Sequence, residues 1–361
     1  MINIAFCIDD NFAPYAAVSL VSLLSNTKST ITVYFIGDLS EEVKKCLESL
    51  KNRKTIVNFL TPNIPLPNRA LSNRYRDRLS NITFVRYGIA EILMDLDKVI
   101  YLDADILVCG DIKNLWERPL NNFCLGAVLD HSLMSQHRDN TLSLKSKSYF
   151  NAGVLLIDLK IWRDMKIFEK LRSMHDSRES WEYNDQDVLN VVLDGQVKYF
   201  GAEMNAQTYS LVHDYIPDPT IVHFTGQEKP WHLSSVHPYI KQYRNFLENI
   251  PFVNNSLSLF LDNEDHLILK KLKEKFNTSA RVVIWGAGAR GRRLIKALEQ
   301  NLPHIVITQV VDSYLTGKCF SFSIASPKTM ITENVDAVVV ATLPHKQEIT
   351  HSLRQKAVTV I

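Results

Sequence analysis

Short apolar segments alternate with amphipathic segments through the first 60 residues of the chain. Residues 2–8, 30–36 and 55–60 are apolar runs of strand length bounded by turn residues, a pattern typical of buried strands. Residues 15–24 and 40–50 carry apolar side chains at helical spacing. This β-α-β-α-β order predicts an α/β fold with a mostly parallel sheet covered by helices on both faces.

The alternation continues to about residue 250. We predict further strands at 99–102, 125–129, 153–157, 197–200 and 221–224. We predict further helices at 80–94, 162–174 and 185–193.

A second β-α-β pattern follows a polar, turn-rich segment at 254–258. A basic amphipathic helix is predicted at 265–276, and a second helix at 291–300. Further strands are predicted at 282–285, 305–311, 337–342 and 358–361. The predicted organisation is a domain at 1–257, a linker with its amphipathic helix at 258–280, and a small Rossmann-like α/β domain at 281–361.

Composition narrows the class of protein. The chain has 361 residues, 46% hydrophobic and 22% charged, with 41 basic and 39 acidic residues. This balance argues against a nucleic-acid binder, which usually has a strong basic excess. The five cysteines are scattered without a Cys-x-x-Cys pair, which argues against a disulfide framework or a zinc site and favours a reducing compartment.

The N-terminus and the hydropathy pattern bear on localisation. The first ten residues lack the basic start of a signal peptide, and acidic residues interrupt the apolar run. The chain also lacks an apolar stretch of about 18 residues, the length that a membrane span needs. We expect a cytoplasmic protein, with peripheral contact at the inner face of the plasma membrane left open.

Asp103 and Asp105 are the first candidates for chemistry. They follow the predicted strand 99–102, and residues at i and i+2 of an extended chain point to the same side. Two carboxylates that converge on one point suit a divalent cation that also holds a substrate phosphate. The alternative is a pair of solvated acids at a strand end, which is equally common.

Other polar strings lie at the ends of predicted strands or at a helix start, where open α/β sheets bind their ligands. In chain order, the strings are Asp9-Asp10-Asn11, Tyr101-Leu102-Asp103-Ala104-Asp105, Tyr149-Phe150-Asn151-Ala152-Gly153, Asn184-Asp185-Gln186-Asp187, and His223-Phe224-Thr225-Gly226 with Lys229-Pro230-Trp231-His232. Together they resemble glycosyltransferase family 8, the retaining enzymes of GT-A fold that include lipopolysaccharide galactosyl- and glucosyltransferases. The resemblance covers the first 250 residues or so.

The resemblance implies a metal site at Asp103, Asp105 and His223. The expected ion is Mn²⁺, with Mg²⁺ as the alternative, because Mn²⁺ accepts an imidazole more readily than Mg²⁺ does. Such an ion stabilises a departing diphosphate. For His223 the competing interpretation is a core histidine without a ligand role.

The resemblance also implies a donor site for UDP-galactose or UDP-glucose. Asp9 and Asn11 are expected at uracil and ribose, and Gly226 and Lys229 at the diphosphate. The full donor-binding set is Asp9, Asn11, Arg86, Asp103, Ala104, Asp105, Asn151, Asp185, Gln186, Gly226 and Lys229. Alternatives stay open for three positions: a surface residue for Arg86, a solvated side chain for Lys229 and a helix cap for Asp187.

The catalytic candidates are Gln186, Asp130 and Asp185. Retaining glycosidases usually use a carboxylate nucleophile. The resemblance implies that the reaction face here offers Gln186 instead, whose amide is a poor nucleophile. We therefore favour front-face displacement through a short-lived ion pair, in which the leaving phosphate takes the acceptor proton. Double displacement by Asp130 or Asp185 is the alternative.

The acceptor is expected to be a glycan or glycolipid in cell-surface polysaccharide synthesis, and a protein acceptor stays open. In residues 237–247 aromatic residues alternate with Lys241 and Arg244, which could favour anionic lipid headgroups. Packing of this segment on its own domain is the alternative.

Gly286, Gly288 and Gly291 form a Gly-x-Gly-x-x-Gly turn between a predicted strand and helix, and Asp312 ends the next strand. This is the context for binding a pyrophosphate and a ribose. Residues 281–361 are too few for a complete dinucleotide fold, so the alternatives are a nucleotide-binding half-domain and a scaffold that mediates homo-oligomers. Arg290, Arg292 and Arg293 could bind phosphate or form a solvated helix face. An NAD(P)-dependent oxidoreductase and a non-catalytic nucleotide-sugar scaffold are the alternative functions.

Overall fold

The computed structural model divides the chain into two compact units. It describes residues 1–67, 81–132, 137–214, 216–226, 228–231, 235, 237–247, 250–251, 263–330, 333–342, 346–355 and 359–361. The first unit comprises Met1–Gln227 and Lys241–Phe252, and the second comprises Glu228–Ile240 and Val253–Ile361. The predicted linker at 254–258 and the domain boundary near 258 lie outside the described residues.

Ten strands of the first unit lie in its described residues and form two sheets. They are β1 (Ile2–Cys7), β2 (Ile31–Ile36), β3 (Thr55–Leu60), β4 (Lys98–Leu102), β5 (Ile106–Val108), β6 (Leu125–Leu129), β7 (Phe150–Asp158), β8 (Val197–Tyr199), β9 (Ala206–Gln207) and β10 (Ile221–His223). The larger sheet has the order β3-β2-β1-β4-β7-β6-β8, and the smaller has the order β5-β10-β9.

The larger sheet is parallel from β3 to β4 and changes direction at β7. β1 pairs in parallel with β2 and β4, whereas β7 runs antiparallel to both of its neighbours, β4 and β6. The predicted mostly parallel sheet is therefore mixed at its centre. Because β7 runs against β4, the start of β7 lies beside the carboxyl end of β4, where Asp103 follows.

An aromatic row supports the parallel half of this sheet. Phe6, Phe35 and Phe59 occupy paired positions of β1, β2 and β3. Their ring centroids are 5.4 and 5.8 Å apart in stacked arrangements, within the range of favourable aromatic pairs.

Helices cover the sheet between these strands. They are α1 (Ala13–Asn26), α2 (Glu41–Ser49), α3 (Ile89–Ile92), α4 (Lys113–Trp116), α5 (Arg138–Thr141), α6 (Leu159–Asp164), α7 (Ile167–Asp176), α8 (Asn184–Val192), α9 (Thr208–His213) and α10 (Ile240–Leu247). Ser40 caps α2 by accepting from the N–H of Val43, which satisfies one of the free donors of the first turn.

Two helix predictions are wrong in detail. The helix predicted at 162–174 is two helices, because Lys166 takes a left-handed conformation (φ +54°) between α6 and α7. In place of a helix at 80–94, Asn81–Gly88 is a 3₁₀ helix that leads into the four residues of α3. The β-branched side chains of Ile82, Thr83 and Val85 weaken the α-helical propensity of that segment.

The second unit has its own core. Its strands are β11 (Ala280–Trp285), β12 (Ile305–Val311), β13 (Lys318–Cys319), β14 (Phe322–Ala325) and β15 (Ala337–Val340), and its helices are α11 (Asn263–Lys275), α12 (Ala289–Asn301) and α13 (Lys346–Gln355). The sheet order is β13-β14-β12-β11-β15, with the β11, β12, β14 and β15 pairings parallel. α11, which we expected next to a linker, buries Ile268 and Leu272 in the core of this unit.

No helix in the described part of the chain combines the length and apolar character that crossing a membrane requires. In α10 the apolar side chains of Tyr243 and Leu247 are buried. Tyr243 packs edge-on against Phe224 with ring centroids 5.2 Å apart. For Tyr243 this contact supports packing of the 237–247 segment on the protein, the alternative to lipid contact.

Candidate active site

Pairing of two short strands brings Asp105 and His223 together. β5 and β10 run antiparallel, and their register places His223 opposite Ile106, the residue after Asp105. The N–H of Phe224 also donates to the carbonyl of Asp105 at 3.0 Å. As a result, Nε2 of His223 lies 3.3 Å from Oδ1 of Asp105.

Asp103 reaches the same point from the larger sheet. It follows β4, and its N–H donates to the carbonyl of Gly153 on β7 at 2.8 Å. Its Oδ2 lies 3.9 Å from Nε2 of His223. Asp103, Asp105 and His223 each offer one ligand atom, and these atoms lie within 4.8 Å of one another. The predicted cluster is therefore present.

The distances from Nε2 of His223 to the two carboxylates fit a shared ion. Two ligand atoms that bind one octahedral cation at about 2.1 Å are about 3 to 4 Å apart, which matches the separations of 3.3 and 3.9 Å from the imidazole. The set of two carboxylates and one imidazole suits Mn²⁺ or Mg²⁺ better than a thiophilic metal.

Gly153 leaves the space that such an ion needs. A Cβ at this position would lie 2.1 Å from Cε1 of His223 and 2.8 Å from both its Nε2 and Oδ2 of Asp103. Any larger residue here would therefore fill the gap between two of the ligand atoms. The sequence motif contained Gly153, but its steric role was visible only in the structure.

The other oxygen of Asp103 is already engaged. Oδ1 accepts hydrogen bonds from the Tyr101 hydroxyl at 2.6 Å and from Nη2 of Arg86 at 3.0 Å. These two donors hold the carboxylate so that its Oδ2 faces the imidazole of His223. Ser19 of α1 fixes the next residues, because its hydroxyl lies 2.8 Å from the carbonyl oxygens of both Ala104 and Ile106.

Arg86 is buried, so its interpretation as a surface residue is wrong. It is 8% exposed. The 3₁₀ geometry aligns residues three apart, and Arg86 accordingly donates to the hydroxyl and the carbonyl of Thr83, both at 3.2 Å. It also donates to the carbonyl of Ala152 at 2.8 Å and lies 3.2 Å from Oδ2 of Asp185. Burial raises the pKa of Asp185, and the Arg86 charge opposes that rise.

Gln186 and Asp130 share a hydrogen bond at the start of α8. Nε2 of Gln186 donates to Oδ2 of Asp130 at 2.9 Å, and its Oε1 accepts from the N–H of Ala152 at 3.0 Å. Oδ2 of Asp130 also accepts from Nδ2 of Asn151 at 3.1 Å. Three predicted residues, Asp130, Asn151 and Gln186, are thus brought together.

Asn205 is a buried residue of this network that the sequence analysis did not identify. Its Oδ1 is 3.0 Å from Nδ1 of His223, and its Nδ2 donates to Oδ1 of Asn151 at 3.0 Å. It precedes the two-residue strand β9, and the flanking residues carry no motif that would have singled it out.

Asp187 is held by hydrogen bonds and an ion pair within the protein. It is completely buried and accepts hydrogen bonds from the Tyr149 hydroxyl at 2.8 Å and from the N–H of Tyr183 at 3.0 Å. Its carboxylate also pairs with Arg138. Tyr183 is the N-cap residue of α8 and Asp187 lies in the first turn, so Asp187 does not occupy the N-cap position of the predicted helix cap.

Asp9 and Asn11 lie after the carboxyl end of β1. Oδ1 of Asp9 accepts from the N–H groups of Asn11 and Phe12, both at 3.1 Å, so this carboxylate shapes the turn into α1. Gly226 is exposed and has φ +91°, a conformation that glycine adopts readily. Lys229 is assigned to the second unit. Their roles toward uracil, ribose and diphosphate stay predictions.

In the second unit, the backbone geometry alone requires glycine at two of the three motif positions. Gly286 has φ +120°, and a Cβ on Gly291 would lie 1.8 Å from the carbonyl oxygen of Gly286. At Gly288 a Cβ would meet nothing within 4 Å. Asp312 accepts from the N–H groups of Ala287, Tyr314 and Leu315. The nucleotide-binding role of these four predicted residues stays a prediction.

Two of the arginines expected at phosphate or on a solvated face are engaged within the second unit. Asp265 of α11 is fully buried. Its Oδ1 accepts from Arg290 at 3.0 Å and its Oδ2 from Arg293 at 2.9 Å. Arg290 also pairs with Glu264. These ion pairs join α11 to α12.

Comparison with known proteins agrees with the resemblance seen in the sequence. The model of the family described as Glycosyl transferase family 8 matches residues 3–234. The chain is 30% identical over 276 residues to lipopolysaccharide 1,2-glucosyltransferase of Escherichia coli (strain K12), covering 71% of this chain and 80% of that protein. It is 28% identical over 270 residues to general stress protein A of Bacillus subtilis (strain 168), covering 68% of this chain and 93% of that protein.

Solved structures show the same fold. The galactosyltransferase LgtC, crystallised with donor and acceptor sugar analogs, matches with a TM-score of 0.60 and 26% identity over 69% of this chain and 96% of its own. The glycosyltransferase GlyE of Streptococcus pneumoniae TIGR4 matches in fold alone, with a TM-score of 0.53 and 19% identity over 100% of this chain and 91% of its own. By its family match, its relatives and its fold, this chain is a member of glycosyltransferase family 8 with the GT-A fold.

Proposed function

We propose that this chain transfers galactose or glucose from a UDP-sugar to a hydroxyl group of a glycan or glycolipid acceptor, with retention of anomeric configuration and with a divalent cation, Mn²⁺ or Mg²⁺. The names of relatives support the substrate class: one is the glucosyltransferase described above, and another is lipopolysaccharide 1,3-galactosyltransferase of Salmonella typhimurium, 28% identical over 274 residues. A role in cell-surface polysaccharide synthesis follows from the same names.

The observation that carries the proposal is the link between the ligand cluster and residues of the predicted donor-binding and catalytic sets. His223 contacts Asn205, Asn205 contacts Asn151, and both Asn151 and Gln186 donate to Asp130. A cation site and a cluster of sugar-hydroxyl partners therefore belong to one connected set of side chains. This arrangement suits a substrate that has a diphosphate at one end and a sugar at the other.

Asp103, Asp105 and His223 would hold the cation. When bound, the cation supplies positive charge that stabilises the diphosphate as it departs. Arg86 and Tyr101 keep Asp103 oriented for this task through their bonds to its Oδ1.

The hydrogen bonds of the two carboxylates favour front-face displacement. Oδ2 of Asp130 accepts from two amide groups, and its Oδ1 accepts from the N–H of Ser132 at 2.9 Å. Asp185 is buried beside Arg86. The donors at Asp130 and the Arg86 charge at Asp185 lower the nucleophilicity of these two carboxylates. In our proposal the acceptor oxygen therefore attacks from the side that the diphosphate leaves. The proton of the acceptor hydroxyl passes to a phosphate oxygen of the leaving UDP.

Release of UDP from a panel of UDP-sugars tests the proposal. We expect UDP-galactose or UDP-glucose to be hydrolysed slowly, and transferred faster once a glycan acceptor is present, in Mn²⁺ but not in EDTA. Asp103→Asn combined with Asp105→Asn should abolish both reactions, whereas Lys113→Ala, an exposed change in the same unit, should leave them unaltered. Proton NMR of the product reports the anomeric configuration. An inverted product, or equal rates in EDTA, would overturn the proposal.

Two further expectations remain predictions. One is peripheral contact with the inner face of the plasma membrane, and the other is a homo-oligomer formed through the second unit.

A further inference from the structure

We infer that Asn205 is a positioning residue of the metal site, which fixes the protonation pattern of the His223 ring and couples that ring to Asn151 and Asp130. The inference rests on the proposed function in that it names a residue that prepares the proposed cation site. Asn205 lies outside every motif that identified the other residues of the site.

Asn205 is placed to contact both sides of the site. Its side chain is 0% exposed and His223 is 4% exposed, so solvent does not compete for their shared hydrogen bond. β9, which starts one residue later, pairs in parallel with β10, the strand that ends in His223. The distances from Asn205 to Nδ1 of His223 and to Oδ1 of Asn151 are both 3.0 Å, typical of hydrogen bonds.

The direction of these hydrogen bonds is set at Asn151. An ionised carboxylate can only accept, so the group of Asn151 that lies 3.1 Å from Oδ2 of Asp130 is its NH₂. A backbone N–H can only donate, so the group that lies 3.1 Å from the N–H of Gly153 is the oxygen of Asn151. Two independent neighbours therefore assign the same orientation to the Asn151 amide.

This orientation passes through Asn205 to the imidazole. Because the oxygen of Asn151 faces Asn205, the group of Asn205 that lies there is its NH₂. The oxygen of Asn205 then faces His223, so Nδ1 of the ring carries a hydrogen and donates. With Nδ1 protonated, a neutral ring has its lone pair on Nε2, the atom 3.3 Å from Oδ1 of Asp105 and 3.9 Å from Oδ2 of Asp103.

The consequence for cation binding is direct. An imidazole binds a metal ion through an unprotonated nitrogen, and the partner of its other nitrogen decides which nitrogen that is. Without Asn205 the ring would be free to carry its hydrogen on Nε2 and to donate it to Asp105. Asn205 excludes this arrangement, and through Asn151 it also ties the ring to the residues around Asp130.

The test compares two changes of Asn205, one change of His223 and one control. Asn205→Leu removes both hydrogen bonds with a side chain of similar branched shape. Asn205→Asp keeps an acceptor for Nδ1 but loses the donor to Asn151. The control is Asn190→Leu, because Asn190 is also buried (2% exposed) and makes three hydrogen bonds to backbone groups of Phe150 and Gln186. His223→Gln removes the imidazole itself.

Two measurements are made on each full-length variant after its folding has been checked by urea titration. Calorimetry gives the affinity for Mn²⁺ in the presence of UDP. We expect Asn205→Leu to weaken it about 10- to 100-fold, the range for loss of a residue that orients a metal ligand. Asn205→Asp should weaken it less, and Asn190→Leu should leave it within about twofold of the wild type, since that side chain is outside the ligand network.

The second measurement needs no metal. Long-range ¹H–¹⁵N NMR of histidine-labelled protein at alkaline pH distinguishes the two neutral tautomers, and the His223 signals are assigned by their absence in His223→Gln. We expect the wild type to show hydrogen on Nδ1. If the hydrogen is on Nε2, the inference is overturned, whatever the fate of the proposed function or the folding of the Leu variant.

The proposed function and the role of Asn205 can be refuted independently. If the wild type binds neither Mn²⁺ nor UDP, the proposed function fails, while the NMR result still decides the tautomer. If His223→Gln loses Mn²⁺ affinity but Asn205→Leu retains it, the proposed function stands and the role of Asn205 is refuted.

Discussion

Arg86 donates from Nη2 to Oδ1 of Asp103 at 3.0 Å, so a buried arginine fixes one oxygen of a carboxylate whose other oxygen lies 3.9 Å from His223. The same guanidinium group lies 3.2 Å from Asp185. Its planar fork can serve both acids at once, which a lysine ammonium cannot do with the same geometry. Arg86 thus links the proposed cation site to the start of α8.

Substitution of Arg86 should cost stability as well as activity. In Arg86→Ala two acids lose their partner, and removal of one member of a buried ion pair costs about 3–5 kcal/mol. Arg86→Lys should retain part of this stability because it keeps the charge. The free energy of unfolding in urea measures both effects, and Lys113→Ala, in an exposed pair with Glu117, should change it by less than about 1 kcal/mol. Equal losses in Arg86→Ala and Lys113→Ala would contradict a stabilising role for the ion pairs of Arg86 with Asp103 and Asp185.

Gly153 offers a steric test of the cation site. Gly153→Ala places a methyl group 2.8 Å from both Oδ2 of Asp103 and Nε2 of His223. We expect affinity for Mn²⁺ in the presence of UDP to fall by more than about tenfold, because the ligand atoms must separate. Electron paramagnetic resonance of Mn²⁺ measures the free and bound fractions.

The matched control is Gly110→Ala in the same unit. Its Cβ would come within 3.3 Å of Thr220 and of none of the three ligands. Both variants should keep a cooperative unfolding transition. Wild-type Mn²⁺ affinity in Gly153→Ala would show that the cation, if bound, is held elsewhere.

Asp130→Asn separates the two mechanisms. If Asp130 is a nucleophile, the change should remove transfer almost completely. Our proposal gives it the role of a hydrogen-bond acceptor, and an asparagine oxygen can still accept from Asn151 and Gln186. We therefore expect the transfer rate to fall by about 10- to 100-fold, the scale of one weakened polar contact at a reacting centre. The product should keep the anomeric configuration of the donor sugar. Mass spectrometry of the wild type with donor alone should reveal no glycosylated Asp130 or Asp185.

Much of the fold and the cluster was predictable because they depend on local patterns. Most predicted strands and helices agree with the observed bounds to within three residues, and β3, β6 and β12 agree at both ends. Asp103 and Asp105 were found because a carboxylate pair after a strand carries its own signal, and His223 because it lies within a longer string. In each case the informative residues were neighbours in the sequence.

The supporting residues could not be predicted because their partners are remote. Asn205 contacts His223 and Asn151, which are 18 and 54 residues away. β5 and β9 have three and two residues, too few to show a period. Arg86 was ambiguous because its burial depends on a 3₁₀ helix, and the sequence pattern there resembles that of an α-helix.

Asp265 should be a major determinant of stability in the second unit. Its buried carboxylate accepts from both Arg290 and Arg293. Asp265→Ala leaves Arg293, 5% exposed, without this partner, and we expect a loss of about 3–5 kcal/mol. Differential scanning calorimetry of thermal unfolding suits a chain of two units, because each unit can unfold in its own transition.

The control for Asp265 is Lys270→Ala on the same helix, since Lys270 and Glu274 are both largely exposed. This change should shift the unfolding free energy by less than about 1 kcal/mol. A similarly small shift in Asp265→Ala would mean that the buried ion pairs do not hold α11 in place.

Cys124 should contribute to unfolding at alkaline pH. It is fully buried, and burial raises the pKa of its thiol from 9.0 to about 12. Between these values the unfolded chain loses the thiol proton while the folded chain keeps it, so stability falls as pH rises, by up to about 1.4 kcal/mol per pH unit for this group. Well below pH 9 the thiol is protonated in both the folded and the unfolded chain. Its contribution to the pH dependence of the unfolding free energy then disappears.

The variant Cys124→Ala isolates this effect. Its absolute stability will differ from that of the wild type because a buried atom is lost, so the informative quantity is the slope of unfolding free energy between pH 9.5 and 11. We expect the wild-type slope to be steeper than that of Cys124→Ala, and the two slopes to agree between pH 7 and 8. Parallel slopes across the alkaline range would show that the thiol ionises equally in both states, and that its burial does not control alkaline stability.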